Sequence, residues 1–284
     1  MGIIIENPGI LTTVQDEGRF GSQQFGVSPA GPMDTQSFYI ANILVGNRMG
    51  EGAIEMTFQG PTVRFEKDII IAITGGDLSP TLNGQPAPMY QALLVHAGDV
   101  LAFGVGTTNG CRGYLAFAGG LDVPLVMGSK STLLRNQLGG VQGRKLEKGD
   151  VIGFANPKTT LPNMGLRKLE PEVFPKGELT LRVVTGPQDS DFTKSELKKF
   201  FWYGAKITNE YDRMGCRLER EPVEHKGDGN INTDGISLGS IQVPSNGKPI
   251  IMLADRQSTG GYAKIGTVIS VDLPKIAQSQ PGFK

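Results

Sequence analysis

Four polar clusters hold the residue types that could grip an anion or move a proton. The first is Thr12-Thr13-Val14-Gln15-Asp16-Glu17-Gly18-Arg19, followed by Gly26 to Asp34. The second is Gly110-Cys111-Arg112-Gly113-Tyr114. The third is YDRMGCRL, Tyr211 to Leu218, and the fourth is DRQSTGGY, Asp255 to Tyr262. Arginine offers a planar fork that fits a carboxylate, a phosphate or a carbonyl. A neighbouring aspartate can orient that fork or act as a base. Adjacent glycines let backbone N–H groups approach an anion closely. On these grounds Arg213 and Arg256 are the candidate anion contacts, with Asp212 and Asp255 orienting them. Gln15, Asp16, Arg19, Asp34, Arg112, Gly260, Gly261 and Tyr262 form the candidate substrate-binding set. A plainer reading stands beside it: Asp–Arg pairs at turns satisfy one another, and Gly260-Gly261 is a turn needing positive φ.

Other chemical signatures fail on context. Gly235-Ile236-Ser237-Leu238-Gly239 matches G-x-S-x-G, but a polar loop precedes it, a strand-like IQVP follows, and no histidine lies downstream. Asp228, Asn230, Asn232 and Asp234 alternate as in a calcium loop, yet the glutamate that would close the loop is missing in either register. Gly104, Gly106 and Gly110 have the wrong spacing for a dinucleotide loop, and no Walker A sequence exists. Cys111 and Cys216 are far apart and lack metal-ligand spacing, so they read as reduced core thiols. The two histidines, His96 and His225, leave little for a histidine-based enzyme.

Charge and hydropathy narrow the classes further. The 28 basic and 28 acidic side chains cancel, so no basic face advertises nucleic-acid binding. No apolar run is long enough to span a bilayer. The start, MGIIIENPG, lacks a basic region and a signal-like core, so a cytoplasmic protein is expected.

Elements must position these clusters, and most read as strands. The chain's 284 residues include 40 glycines, roughly twice the usual share, which implies many tight turns. EKDIIIAIT (Glu66 to Thr74) is a buried strand. Asn83-Gly84 marks a hairpin. Tyr90 to His96, Val100 to Phe103, Cys111 to Ala118 and Val151 to Phe154 follow as strands. Two helices stand out. Residues 33–45 start after Pro32 and stop at Gly46, with Met33, Phe38, Ile40, Ala41 and Leu44 near one side. Thr193 to Tyr203 opens with the capping box Thr193-Lys194-Ser195-Glu196, stripes Leu197, Phe200 and Phe201, and ends at Gly204. Residues 156–178 carry four prolines without a period and read as a linker. The expected organisation is mainly β: a domain over 1–160 and another over 175–284, each with at most one substantial helix.

The segments TTVQDEGR, GVSPAGPMD, CRGYLAFAGG, MGSKST, YDRMGCRLE and IQVPSNGKPIIMLADRQSTGGYAKIGTV, in this order over residues 10–282, closely resemble the allophanate hydrolase subunit 2 family. It is also called the biotin-dependent carboxyltransferase or KipI-antagonist (KipA) family. The resemblance implies two cyclophilin-like β-barrel domains with a few short helices. It implies a role as the C subunit of an ATP-dependent 5-oxoprolinase. That enzyme opens 5-oxo-L-proline to L-glutamate and is completed by a KipI-like B subunit plus the A subunit. ATP with Mg would be bound by that complex. Relatives transfer a carboxyl group from carboxybiotin to urea, and biotin enters only in that alternative, carried by another chain. A third reading is a non-catalytic antagonist of a KipI-like kinase inhibitor.

Overall fold

Five strands, Leu11–Gln15, Ala53–Thr57, Arg112–Phe117, Ile69–Gly75 and Ala92–Val95, form an antiparallel sheet in that order. This is a computed structural model, and it describes residues 2–106 and 109–284. Thr107 and Thr108, inside the rejected glycine loop, lie outside the described residues. Ile69–Gly75 is buried at every position, and the reason is cover on both faces. Ile69, Ile71 and Ile73 point to a core shared with Ile3, Ile5, Val63, Phe65 and Leu101. Ile70 and Ala72 point the other way, against Phe38, Ala41 and Leu44 of the helix Thr35–Leu44. Successive side chains alternate faces, so a strand covered twice is apolar throughout. Arg112–Phe117 is likewise buried throughout.

A second sheet supplies the opposing core. Its order is Leu121–Asp122, Val151–Phe154, Gly2–Asn7, Thr62–Phe65, Val100–Ala102, Thr81–Leu82 and Gln85–Pro86. The last two form the expected hairpin, with Asn83 at φ 51° and Gly84 at φ 79°. Both central residues at positive φ are what such a two-residue turn requires.

Elsewhere a third sheet runs Val183–Thr185, Thr259–Val268, Ser240–Val243, Ile250–Met252, Gly215–Glu219 and Lys206–Tyr211. Asn230–Gly235 also pairs with Thr259–Val268. All of the pairings in these sheets are antiparallel, and the protein is mainly β. Three short α-helices occur among the described residues: Thr35–Leu44, Lys194–Trp202 and Leu273–Ala277. None is long and apolar enough to cross a membrane.

The helix starts follow local chemistry. Asp34 caps Thr35–Leu44 by accepting from the Ser37 N–H, and Thr193 caps Lys194–Trp202 by accepting from the Glu196 N–H. The second capping box closes only halfway. Glu196 pairs with Lys199 Nζ and takes the Glu224 N–H instead of reaching back. Gly204 is not a left-handed cap either; the helix ends at Tyr203 in extended geometry. Its apolar stripe stays half-buried or exposed.

The chain divides into two units, Met1–Arg19 with Ala30–Phe174, and Phe20–Pro29 with Pro175–Lys284. Residues 20–29, which fall inside the first domain expected from sequence, group with the second unit. There Ser28 Oγ donates to the Arg256 carbonyl. Much of the proline-rich stretch is tied to the first unit's sheet: Ile70 N donates to Lys158 O, and Ala92 N to Arg167 O.

Candidate functional site

The candidates in the first unit are turned inward. Gln15 Nε2 donates to Thr13 Oγ1 and Thr132 O, and its Oε1 accepts from Gly31 N. Asp16 accepts from Ser129 Oγ, Ser131 Oγ and Lys130 N, each at 2.6 Å, and from Gly18 N. Arg19 is fully buried and donates to the carbonyls of Val126 and Ser131. Asp34 is the helix cap. Arg112 is buried beside Cys111, with Nη1 at 3.5 Å from Sγ. This unit has a cavity of about 400 Å³ lined in part by Tyr90, Asn109 and Pro171, and none of these five residues lines it.

The second unit brings chemistry to the surface around one strand, Thr259–Val268. A cavity of about 640 Å³ is lined by Lys264, Asp234, Arg256, Ser237, Ser240 and Ser258, with Gln23 and Gln24 from the 20–29 segment. Lys264 is 3% exposed, although its strand neighbours Ala263 and Ile265 are buried too. Its ammonium reaches Asp234 Oδ2 at 2.8 Å, and the Gln188 amide also leans on that oxygen. Asp234 is held below the usual carboxylate range, first by the Lys264 bond and then by the Gly235 N–H. An ammonium has three donors, and among the described residues Asp234 is the acceptor that Lys264 reaches. Arg256 is buried, with Nε on the Ile236 carbonyl and Nη1 on the Leu253 carbonyl. Burial pushes its pKa down from the ordinary guanidinium value. Ser237 and Ser240 share a hydrogen bond of 2.8 Å, and the strand Ser240–Val243 rather than a helix follows Ser237 directly, so it is not a nucleophile elbow. Two buried cations and a pair of hydroxyls around a cavity of this size can hold a small oxyanion.

A second cavity, of about 550 Å³, is lined by Asp212, Tyr262, Gln242 and Gln257, among others. Asp212 Oδ1 caps the turn below it, accepting from Met214 N and Gly215 N. Arg213 and Asp255 face each other in a bidentate pair, Nε–Oδ2 3.1 Å and Nη2–Oδ1 2.9 Å, both nearly buried. Asp255 therefore orients Arg213, whereas Arg256 is positioned by carbonyls. Gly260 and Gly261 lie within the strand Thr259–Val268, not in a turn; Gly260 pairs with Asp234, the register is irregular from there to the Asn230–Tyr262 pair, and neither glycine has positive φ. Tyr262 is 40% exposed at the second cavity.

Sequence reasoning misses Lys264 and Asp234 as site residues. A lysine between alanine and isoleucine in an apolar strand is the available signal for the first. Asp234 reads in sequence as part of a polar loop.

The carboxyltransferase domain, subdomain A and B, matches residues 25–284. The chain belongs to this family. Within it, the chain is 35% identical to the 5-oxoprolinase C subunit of Escherichia coli K12 over 95% of its own length and 85% of that protein. It is 36% identical to the urea amidolyase of Lachancea kluyveri over 98% of its length, but spans only 16% of that much longer enzyme. The crystal structure of Kluyveromyces lactis urea carboxylase superposes with a TM-score of 0.89 at 32% identity, covering 99% of this chain and 26% of the other. This carboxyltransferase-family chain is thus related to subunits and segments of larger enzymes.

Proposed function

We propose that the chain is the C subunit of an ATP-dependent 5-oxoprolinase, working in the cytoplasm with a KipI-like B subunit plus the A subunit. The observation that carries this reading is the match to a 5-oxoprolinase C subunit over 85% of that protein's length. The cavity of about 640 Å³ in the second unit supports it chemically. Opening an unactivated lactam is hard; moving the γ-phosphoryl of ATP to the lactam oxygen makes the carbonyl carbon electrophilic. Water then adds to that carbon, the C–N bond breaks with the nitrogen leaving as the amine to give an acyl phosphate, and a second water displaces phosphate to give glutamate. Lys264 and Arg256 are the groups of this chain suited to phosphate or to the developing oxyanion, with the serine hydroxyls as further donors. Mg would enter with ATP, bound by the complex.

A second reading, carboxyl transfer from carboxybiotin to urea or a related amide, draws on the likeness to urea amidolyase. An oxyanion pocket serves a biotin enolate as well as an acyl phosphate. One experiment separates the two. The three subunits are mixed, and ADP release is followed with and without 5-oxoproline. Release that depends on 5-oxoproline and needs this chain supports the first reading, and the chain alone is expected to be inactive. Urea carboxylation with carboxybiotin, without any 5-oxoproline-dependent ADP, overturns it in favour of the second.

A further inference from the structure

We propose that the second unit receives an extended strand from a partner protein, laid along residues 179–185. The third sheet is open, ending on Val183–Thr185 at one side and Lys206–Tyr211 at the other. An apolar groove of about 180 Å³ lies between these edges, with Leu179, Leu181 and Val183 on one wall and Ala205 and Ile207 on the other. Leu179, Leu181 and Val183 alternate with the exposed Thr180, Arg182 and Val184, as a strand with one inward face should. All three inward side chains nevertheless stay half-buried. The backbone is open as well. Arg182 O accepts from Ile269 N and Gly186 N donates to Ile265 O, so alternate residues bond to Thr259–Val268 and its continuation. Leu181 and Val183, lying between them, turn their N–H and C=O groups to the open side. At one end the groove already holds one extended chain: Lys284 N donates to Gly177 O and Leu179 N to Lys284 O, while Ile207 N on the opposite edge donates to Phe283 O. The opening between the edges is therefore one strand wide.

The walls set the partner's chemistry. Phe200, Phe201 and Tyr203 line the groove, and Trp202 among them is 84% exposed. Exposed aromatics in a row are the side chains enriched where proteins meet. The charged side chains of the lining are both basic, Arg220 and Lys284. Arg220 already gives its guanidinium to the carbonyls of Lys199, Phe200 and Tyr203. The strand that fits carries aliphatic side chains at alternate positions and acidic residues at its flanks. Strand addition to a sheet edge takes its affinity from main-chain bonds and its specificity from pockets for alternate side chains, and this edge offers both. The inference goes beyond the 5-oxoprolinase reading and draws on none of the residues that carry it.

The test uses the whole chain and a fluorescein-labelled peptide, EVTVTVE, as the probe, with binding read by fluorescence anisotropy. A second peptide of the same sequence is N-methylated at its three central amides, which removes the ladder donors and keeps the side chains. The expected result is saturable micromolar binding of the first peptide, at least tenfold weaker for the second. Leu181→Asp should weaken binding of the first peptide at least tenfold while circular dichroism shows the sheet retained. Should that variant fail to fold, the two peptides on the wild type decide alone. No saturable binding to the wild type overturns the proposal. Equal binding of the N-methylated peptide overturns it too, because the groove then takes apolar groups without adding a strand. A concentration-dependent dimer that is lost in Leu181→Asp, with no peptide binding, overturns it in favour of a second copy on the same edge. None of these failures touches 5-oxoproline-dependent ADP release by the mixed subunits.

Discussion

Gly260 and Gly261 are adjacent in sequence and should respond oppositely to the same substitution. Neither has positive φ, so an alanine meets no backbone penalty at either place. Alanine in a strand interior is favoured over glycine by about 0.5–1 kcal/mol, and both variants gain that amount. They differ in what the new methyl touches. At 261 the nearest atom is the Ile231 carbonyl oxygen at 3.5 Å, an ordinary contact. At 260 the methyl would lie 2.7 Å from Gln242 Nε2 and 2.8 Å from Ile236 Cδ1. Both atoms end flexible side chains, so they can yield, at an overpacking cost of about 1–3 kcal/mol. The backbone gain cancels between the variants, and their difference isolates the overpacking. At roughly 4 °C per kcal/mol for a unit of this size, Gly261→Ala should melt about 4–12 °C above Gly260→Ala. Gly261→Ala itself should melt at or slightly above the wild type. Thermal unfolding by circular dichroism on the three proteins is sufficient. Equal shifts in the two variants would refute the packing argument, and a large loss at Gly261→Ala would mean that position 261 needs its glycine for another reason.

Three further outcomes follow from the same geometry. Arg213→Lys keeps charge opposite Asp255 but loses the two-pronged bond, so its urea midpoint should fall by the equivalent of about 1–2 kcal/mol with an unchanged slope; no fall would make the pair energetically idle. Lys264→Met should change stability by less than about 1 kcal/mol, because Asp234 is 53% exposed and can rehydrate. In the mixed subunits that variant should lose at least tenfold in 5-oxoproline-dependent ADP release, about 1.4 kcal/mol, and full activity would remove Lys264 from the reaction. Arg182 and Lys275 hold the buried Asp272 carboxyl well below its usual 3.8. Its contribution is therefore complete above that pH and lost as the pH falls below it. Melting between pH 5 and pH 3 should cost the wild type more than Asp272→Asn, and equal losses would contradict the assignment.

Features closed within a few residues were legible in the sequence. Thr193 caps a helix through the third residue on, and Asn83-Gly84 turns a hairpin, because each bond depends on local backbone geometry alone; Asp34, read as a binding residue, caps its helix in the same way. Mainly β structure followed from glycine-punctuated apolar runs, and the six ordered segments were enough to reach the family. Partner choice was not local. Arg213 finds Asp255 42 residues away, and Lys264 finds Asp234 30 residues away. Only the sheet that sets Asn230–Gly235 beside Thr259–Val268 brings the second pair together. Glycine pairs were ambiguous for the same reason: two glycines read as a turn until strand pairing on one side extends them. The groove beside Leu179, Leu181 and Val183 gave no sign at all in the sequence. An alternating strand becomes an open edge only when folding sets no neighbour along it, and that is a property of the folded neighbourhood, not of the residues.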